Sequence, residues 1–197
     1  MKSSKFLMIL PVLFLSNLFV QATTLNTIAA DPESGIYLTA ADYKNNQLHL
    51  AGDLSTNNKL RLNDFFGEKT LTVSHKGQNH EFSKDSIYGY RDKHGSDYRL
   101  YRSYSTPYKI LENGRIVIYE TKQPGNKQNG FKPLVRYYFS NGADGEVYLL
   151  SLVNLKKSFK DQPAFDIIDA NFQTDYDLIK YDNYHYVFRI NKLLAKL

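Results

Sequence analysis

Between residues 48 and 150 apolar side chains recur at every second position in short runs, and most runs end in a cluster of turn formers. Each such segment has one face to bury, so the stretch must fold as short antiparallel strands joined by hairpins. From Ser151 onward the spacing of apolar residues lengthens to the helical period. A run of strands followed by a run of helices predicts an α+β chain, mainly β: an antiparallel barrel or sandwich of about eight to ten strands, followed by a helical C-terminal segment.

The hairpins are named by their turns. Residues 70–75 face 79–83 across 76–78, and residues 86–91 turn through 92–96 and return over 97–104. Residues 108–112 pair with 115–121 around Asn113-Gly114, a dipeptide favoured in hairpins because both residues tolerate positive φ. Ile116 to Tyr119 is apolar on both faces and is expected to be central. A polar loop over 122–129 leads to residues 133–140, which turn through 141–145 into 146–150. Thr39 is placed to cap a short helical turn over 39–44, and 48–51 and 59–62 read as short strands. Beyond 150, helices are predicted at 152–159, 164–172 and 184–197, the last capped by Asp182 or Asn183, with Val187, Ile190, Leu194 and Leu197 on one stripe. The β core spans 35–150, and the helices of 151–197 pack on the same core.

The N-terminus reads as an export signal. Lys2 and Lys5 precede an apolar run from Phe6 to Val20 broken by Pro11, Ser16 and Asn17, and Val20-Gln21-Ala22 supplies small residues for cleavage. About 15 residues is short of the ~20 that a bilayer span requires. The expectation is a signal peptide at 1–22, with an alternative cut after Ala30 and a flexible leader over 23–34. Cleavage leaves 23 basic against 20 acidic residues, a net charge of +3 rather than +5. That is too little for a nucleic-acid footprint, and no later segment is apolar enough for stable membrane insertion. The chain has no cysteine, which excludes disulfides, thiol catalysis, cysteine zinc sites and iron–sulfur clusters. Exported yet free of cysteine, it fits a bacterial periplasmic or secreted protein better than a eukaryotic extracellular module.

Tyrosine is the compositional oddity. All 16 lie beyond the signal, and six fall between Tyr88 and Tyr108. Pairing across His94-Gly95 would set Asp92 opposite Asp97, Tyr90 opposite Arg99 and Tyr88 opposite Tyr101. The expected binding face is therefore Tyr88, Tyr90, Arg99 and Tyr101, flat apolar rings with polar tips suited to a glycan or a protein partner. The competing reading is that aromatic residues and Arg are simply good strand formers. Asp92 facing Asp97 would call for Arg91, Arg99, Lys93 or a hard cation such as calcium, although the loop lacks the alternating oxygen ligands of a calcium loop. His75 and His80 are expected to face each other as a candidate zinc or copper pair, with a third ligand needed from His49, His94, His185 or a carboxylate. Without one they are an ordinary exposed cross-strand pair.

No nucleophile elbow, metalloprotease helix, phosphate-binding loop or dinucleotide fingerprint is present. No cofactor is expected. Carboxylate-pair hydrolysis, for which Asp64, Asp92, Asp97 and Glu120 are among the available acids, depends on separation in space and not in sequence. The expected function is a non-catalytic binding or structural protein of the bacterial envelope. The alternatives are a lipid or small-molecule carrier with an apolar barrel interior and a small envelope hydrolase.

The runs Leu62-Asn63-Asp64-Phe65-Phe66-Gly67, Lys84-Asp85-Ser86-Ile87-Tyr88-Gly89-Tyr90-Arg91 and Asp97-Tyr98-Arg99, with Asn154-Leu155-Lys156-Lys157-Ser158-Phe159 and Tyr181-Asp182, are spread across most of the mature chain. On these residues it resembles uncharacterised exported proteins of Bacteroidetes-type bacteria. The resemblance implies an envelope or secreted location and carries no activity, cofactor or residue role.

Overall fold

In the computed structural model, the structure describes residues 33–52, 59–62, 69–102, 106–127 and 130–197. The signal peptide, most of the leader and Asp64 lie outside the described residues.

The strands are β1 (Ser34–Tyr37), β2 (His49–Gly52), β3 (Lys59–Leu62), β4 (Thr70–His75), β5 (Gln78–Ser83), β6 (Gly89–Arg91), β7 (Asp97–Arg99), β8 (Tyr108–Asn113), β9 (Val117–Gln123), β10 (Leu134–Ser140), β11 (Tyr148–Leu149), β12 (Tyr181–Asp182) and β13 (Val187–Phe188). The helices are α1 (Ala40–Lys44), α2 (Leu152–Ser158), α3 (Pro163–Asn171), α4 (Asp175–Leu178) and α5 (Arg189–Leu194). Eight strands form one open sheet in the order β11-β10-β9-β8-β7-β6-β1-β2, three form a second in the order β3-β4-β5, and β12 pairs with β13. Every pairing is antiparallel. Among the described residues the main sheet runs from β11 to β2 and does not close, which decides between the two expected architectures in favour of the sandwich.

Strand alternation assigns the two faces, because directly paired residues point the same way. Ile36, Tyr90, Tyr98, Lys109, Glu120 and Tyr137 form one cross-strand row. At the β1–β6 end this face packs on the second sheet, where Ile36, Tyr90 and Leu100 meet Leu71 and Val73. At the β9–β10 end it is covered by the helices, where Ile118 and Phe139 meet Leu155, Phe159, Ile168, Phe172, Leu178, Ile190 and Leu194. Each of these fully buried side chains contributes about 1.5–3 kcal/mol relative to exposure. The opposite face carries Tyr37, Arg99, Tyr108, Tyr119 and Tyr138, and it is covered by Ala40 and Tyr43 of α1, by Leu48 and by Ala143. No helix among the described residues is long and apolar enough to cross a membrane.

Local signals decide several ends. Thr39 caps α1 as expected: its hydroxyl accepts from Asp42 N–H at 3.1 Å, and the Asp42 carboxylate accepts from Thr39 N–H at 2.8 Å. The Asn113-Gly114 hairpin forms, but Asn113 pairs with Val117, so the loop is residues 114–116 and neither Asn113 nor Gly114 takes positive φ. A contact distant in sequence explains the glycine. A Cβ on Gly114 would lie 2.5 Å from the Asn191 amide, which accepts from Ile116 N–H and donates to Ile116 C=O, both at 2.9 Å.

The last predicted helix is shorter than expected. Residues 184–188 do not enter it, because Asp182 closes a turn by accepting from Tyr184 and His185 N–H at 3.0 Å each, and Tyr186 takes a positive φ of 53°. The chain then returns as β13 against β12 before α5 starts. Ile190 and Leu194 are buried as predicted, whereas Leu197 is exposed.

Candidate functional site

The site grows from the β6–β7 hairpin, whose register differs by one residue from the predicted one. Asp92 Oδ1 accepts from His94 N–H at 2.8 Å and Ser96 N–H at 2.9 Å, so the turn takes in residues 92–96. Asp97 consequently faces Arg91, Tyr98 faces Tyr90, and Arg99 faces Gly89. A one-residue slip exchanges the faces of every side chain on one strand. Three expectations change with it. Asp92 and Asp97 are not opposed, so no cation is needed between them. Tyr90 lies on the face opposite Arg99, 1% exposed in the core beneath the second sheet, and does not belong to a binding surface with it. Tyr88 is not opposite Tyr101; its carbonyl accepts instead from Leu100 N–H at 2.9 Å.

Tyr88, Arg99 and Tyr101 nevertheless converge. The Arg99 guanidinium carbon lies 5.2 Å from the Tyr88 ring centre, 5.0 Å from that of Tyr101 and 5.9 Å from that of Tyr119, within cation–π range of all three. Arg99 is 5% exposed. Its Nη1 donates to Tyr119 Oη at 3.0 Å and Ser140 Oγ at 3.3 Å, and its Nη2 donates to the Gly145 carbonyl at 2.9 Å. Ser140 Oγ donates to Gly142 C=O at 2.6 Å, so the 2.7 Å contact between Ser140 and Tyr119 has the tyrosine hydroxyl as donor. The 141–147 loop thus lies across the guanidinium, held also by a Lys44–Asp144 contact at 3.5 Å and an Arg102–Glu146 pair at 2.8 Å.

An aromatic series runs along the same face. Tyr37 meets Tyr43 edge-on at 5.5 Å, and Tyr43 stacks on Tyr88 at 5.3 Å. Beside it Arg91 holds Asp97 with two parallel bonds, Nε to Oδ1 at 2.8 Å and Nη2 to Oδ2 at 2.9 Å, while Tyr37 Oη donates to Oδ1 at 2.9 Å. Burial pushes the Tyr37 phenol well above its ordinary range, and the Asp97 carboxylate adds to the rise. Burial likewise pushes Tyr43 up to about 12 and raises Tyr88, the latter with a contribution from Tyr119. These three phenols therefore stay neutral at physiological pH, and none of them neutralises Arg99.

The series reaches solvent through Tyr101 and Arg102. The Arg102 guanidinium lies 5.0 Å from the Tyr101 ring centre, and Tyr148 donates to the Glu146 carboxylate that Arg102 holds. Arg102, Glu146 and Tyr148 are exposed, and Tyr101 is partly so. Sequence spacing could not reveal Tyr119, Ser140 and Gly145, since they come from strands and a loop 20 to 46 residues away from Arg99. Their only local signal was the alternation that marked β9 and β10 as strands.

The histidine pair is displaced. Lys76 and Gly77 form a two-residue turn with φ of 49° and 79°, which sets His75 against Gln78 and His80 against Val73. The two imidazoles are diagonal neighbours on one face rather than directly opposed. His49 lies 3.4 Å from Asp42, His94 sits in the 92–96 turn, and His185 contacts Asp182 at 2.9 Å. No three His, Asp or Glu residues among the described residues are grouped to hold a metal ion.

Compared with known proteins, the chain matches no protein family, no curated protein and no solved structure.

Proposed function

We propose that this is an exported, non-catalytic binding protein of the bacterial envelope that engages a glycan through the corner formed by Tyr101, Arg102, Glu146 and Tyr148. The observation that carries the reading is the stacking of Arg99 and Arg102 on Tyr101 beside the exposed ring of Tyr148. Flat rings flanked by a charged, hydrogen-bonding pair offer a sugar both an apolar face and polar contacts for its hydroxyls. Arg99 stiffens the platform from beneath, so little conformational freedom is lost on binding.

The carrier alternative has weaker support, because the main sheet is open and buried clusters fill both of its faces. The hydrolase alternative calls for an acid with a raised pKa. The carboxylates that this fold clearly perturbs, Asp42, Asp144, Glu146, Asp177 and Asp182, are all lowered.

A glycan array probed with the purified chain and with Tyr101→Ala tests the reading. The expected result is a restricted set of bound glycans that the variant loses while its circular dichroism stays unchanged. An array that stays blank would overturn it.

A further inference from the structure

Arg91 and Arg99 sit on adjacent strands and the same sheet face, yet among the described residues only Arg91 forms an ion pair with a carboxylate. Arg91 presents Nε and Nη2 side-on to Asp97. Arg99 is more deeply buried, and no carboxylate ion-pairs with it among the described residues. A guanidinium has five N–H donors. Three of those on Arg99 go to Tyr119, Ser140 and Gly145, all neutral acceptors. Nε–H remains, buried and without a hydrogen-bond partner among the described residues, together with one N–H on Nη2. These are the same two nitrogens that Arg91 uses for Asp97. The Tyr88 hydroxyl is buried in the same cage, where it interacts with Tyr119.

A buried charge is costly unless it is paired, and an orphaned buried donor adds to the cost. The ring faces of Tyr88, Tyr101 and Tyr119, the three neutral acceptors and the Coulomb attraction of the exposed Asp144 carboxylate, which Lys44 holds, offset part of that cost, but none of them is a carboxylate bonded to the guanidinium. From this we infer that Arg99 is the anion subsite of the binding corner, and that its ligand is a carboxylate borne on a sugar, as in a uronic-acid glycan. The inference rests on the glycan reading above and adds the charge of the ligand. Of the three rings around the guanidinium, Tyr101 is the most open to solvent, so a carboxylate approaches the guanidinium along its edge. The sugar ring then occupies the place beside Arg102 and Tyr148. A free inorganic anion shares the charge but not the ring, and an acidic peptide shares the carboxylate but not the sugar.

Isothermal titration of the purified chain with trigalacturonate, its fully methyl-esterified form, tri-glutamate and sodium sulfate separates these ligands. The acid sugar is expected to bind about tenfold or more tightly than its ester, the range for a hydrogen-bonded charged pair. Its advantage should vanish as pH falls and the uronate protonates. Arg99→Gln, which removes the charge along with the side-on pair of donors, should bring the acid-to-ester ratio close to one; Tyr101→Ala should weaken both sugars alike. Equal binding of acid and ester by the unmodified chain overturns the carboxylate inference and leaves the glycan reading standing. Tighter binding of tri-glutamate or sulfate than of trigalacturonate overturns the sugar. If neither sugar binds, both readings fall. The comparison of acid with ester needs no variant, so misfolding of Arg99→Gln would not obscure it.

Discussion

Asn191→Ala should destabilise this protein more than its position on a short terminal helix suggests. Asn191 is 2% exposed and makes three bonds that tie α5 to the β8–β9 hairpin. Its Oδ1 accepts from Ile116 N–H, and its Nδ2 donates to Ile116 C=O and to the Glu112 carboxylate. Alanine removes all three. Ile116 C=O keeps the Gly114 N–H at 3.1 Å, and Glu112 keeps the Phe188 N–H at 2.7 Å, but Ile116 N–H is left with nothing in a fully buried position. An orphaned buried donor costs about 1–3 kcal/mol, and each lost bond whose acceptor remains partnered costs about 0.5–1.5 kcal/mol. The total is about 4 kcal/mol, or about 8–16 °C in Tm for a chain of this size. Urea unfolding followed by circular dichroism measures the free energy, and a thermal scan gives Tm. Asn191→Asp adds a second test. It keeps an acceptor for Ile116 N–H but sets a carboxylate beside Glu112, so its deficit should shrink as pH falls. A loss below about 1 kcal/mol for Asn191→Ala would show that the amide does not hold the hairpin and would refute the reasoning.

The buried phenols give a pH dependence with a definite sign. Because Tyr37, Tyr43 and Tyr88 ionise above the ordinary value of 10.0, their contribution to stability is complete below pH 10 and falls away as pH rises toward and beyond 12, and an ultraviolet titration should show these three, with Tyr98 and Tyr148 also raised, lagging the rest. At the acid end the sign reverses. The bonds from Lys192 and the backbone N–H of His185 hold Asp182 well below 3.8, so the C-terminal turn should be intact above that pH and loosen as pH falls through the depressed value; nuclear magnetic resonance of the Tyr184 and His185 amides would follow it. Asp97→Asn should weaken the bidentate hold on Arg91 and lower the Tyr37 pKa, since the Asp97 charge helps raise it, and a shifted tyrosine titration would report this. Arg102→Ala removes an exposed ion pair and should barely move Tm while weakening any ligand of the Tyr101 corner, which thermal scans and titration together would show.

Much of the architecture was legible in the residues themselves. Period-two runs separated by turn formers foretold hairpins, Thr39 foretold the α1 cap, and the helical period beyond Ser151 foretold helices at 152–159 and 164–172. These are local matters, settled by steric preference and by which face of a segment can be buried. Register was less legible, because one residue more in the 92–96 turn, stabilised by the Asp92 carboxylate, moves Tyr90 to the other face of the sheet. His75 and His80 were separated in the same way by the two-residue turn at Lys76 and Gly77. The sequence alone determined that Tyr and Arg would concentrate on the β6–β7 hairpin, that no cysteine chemistry was available, and that helices would follow strands. Only the tertiary structure decided that Arg99 would be enclosed by Tyr119, Ser140 and Gly145 with its Nε unmet, because those partners arrive through pairing of distant strands, and long-range pairing leaves no fixed spacing in the chain.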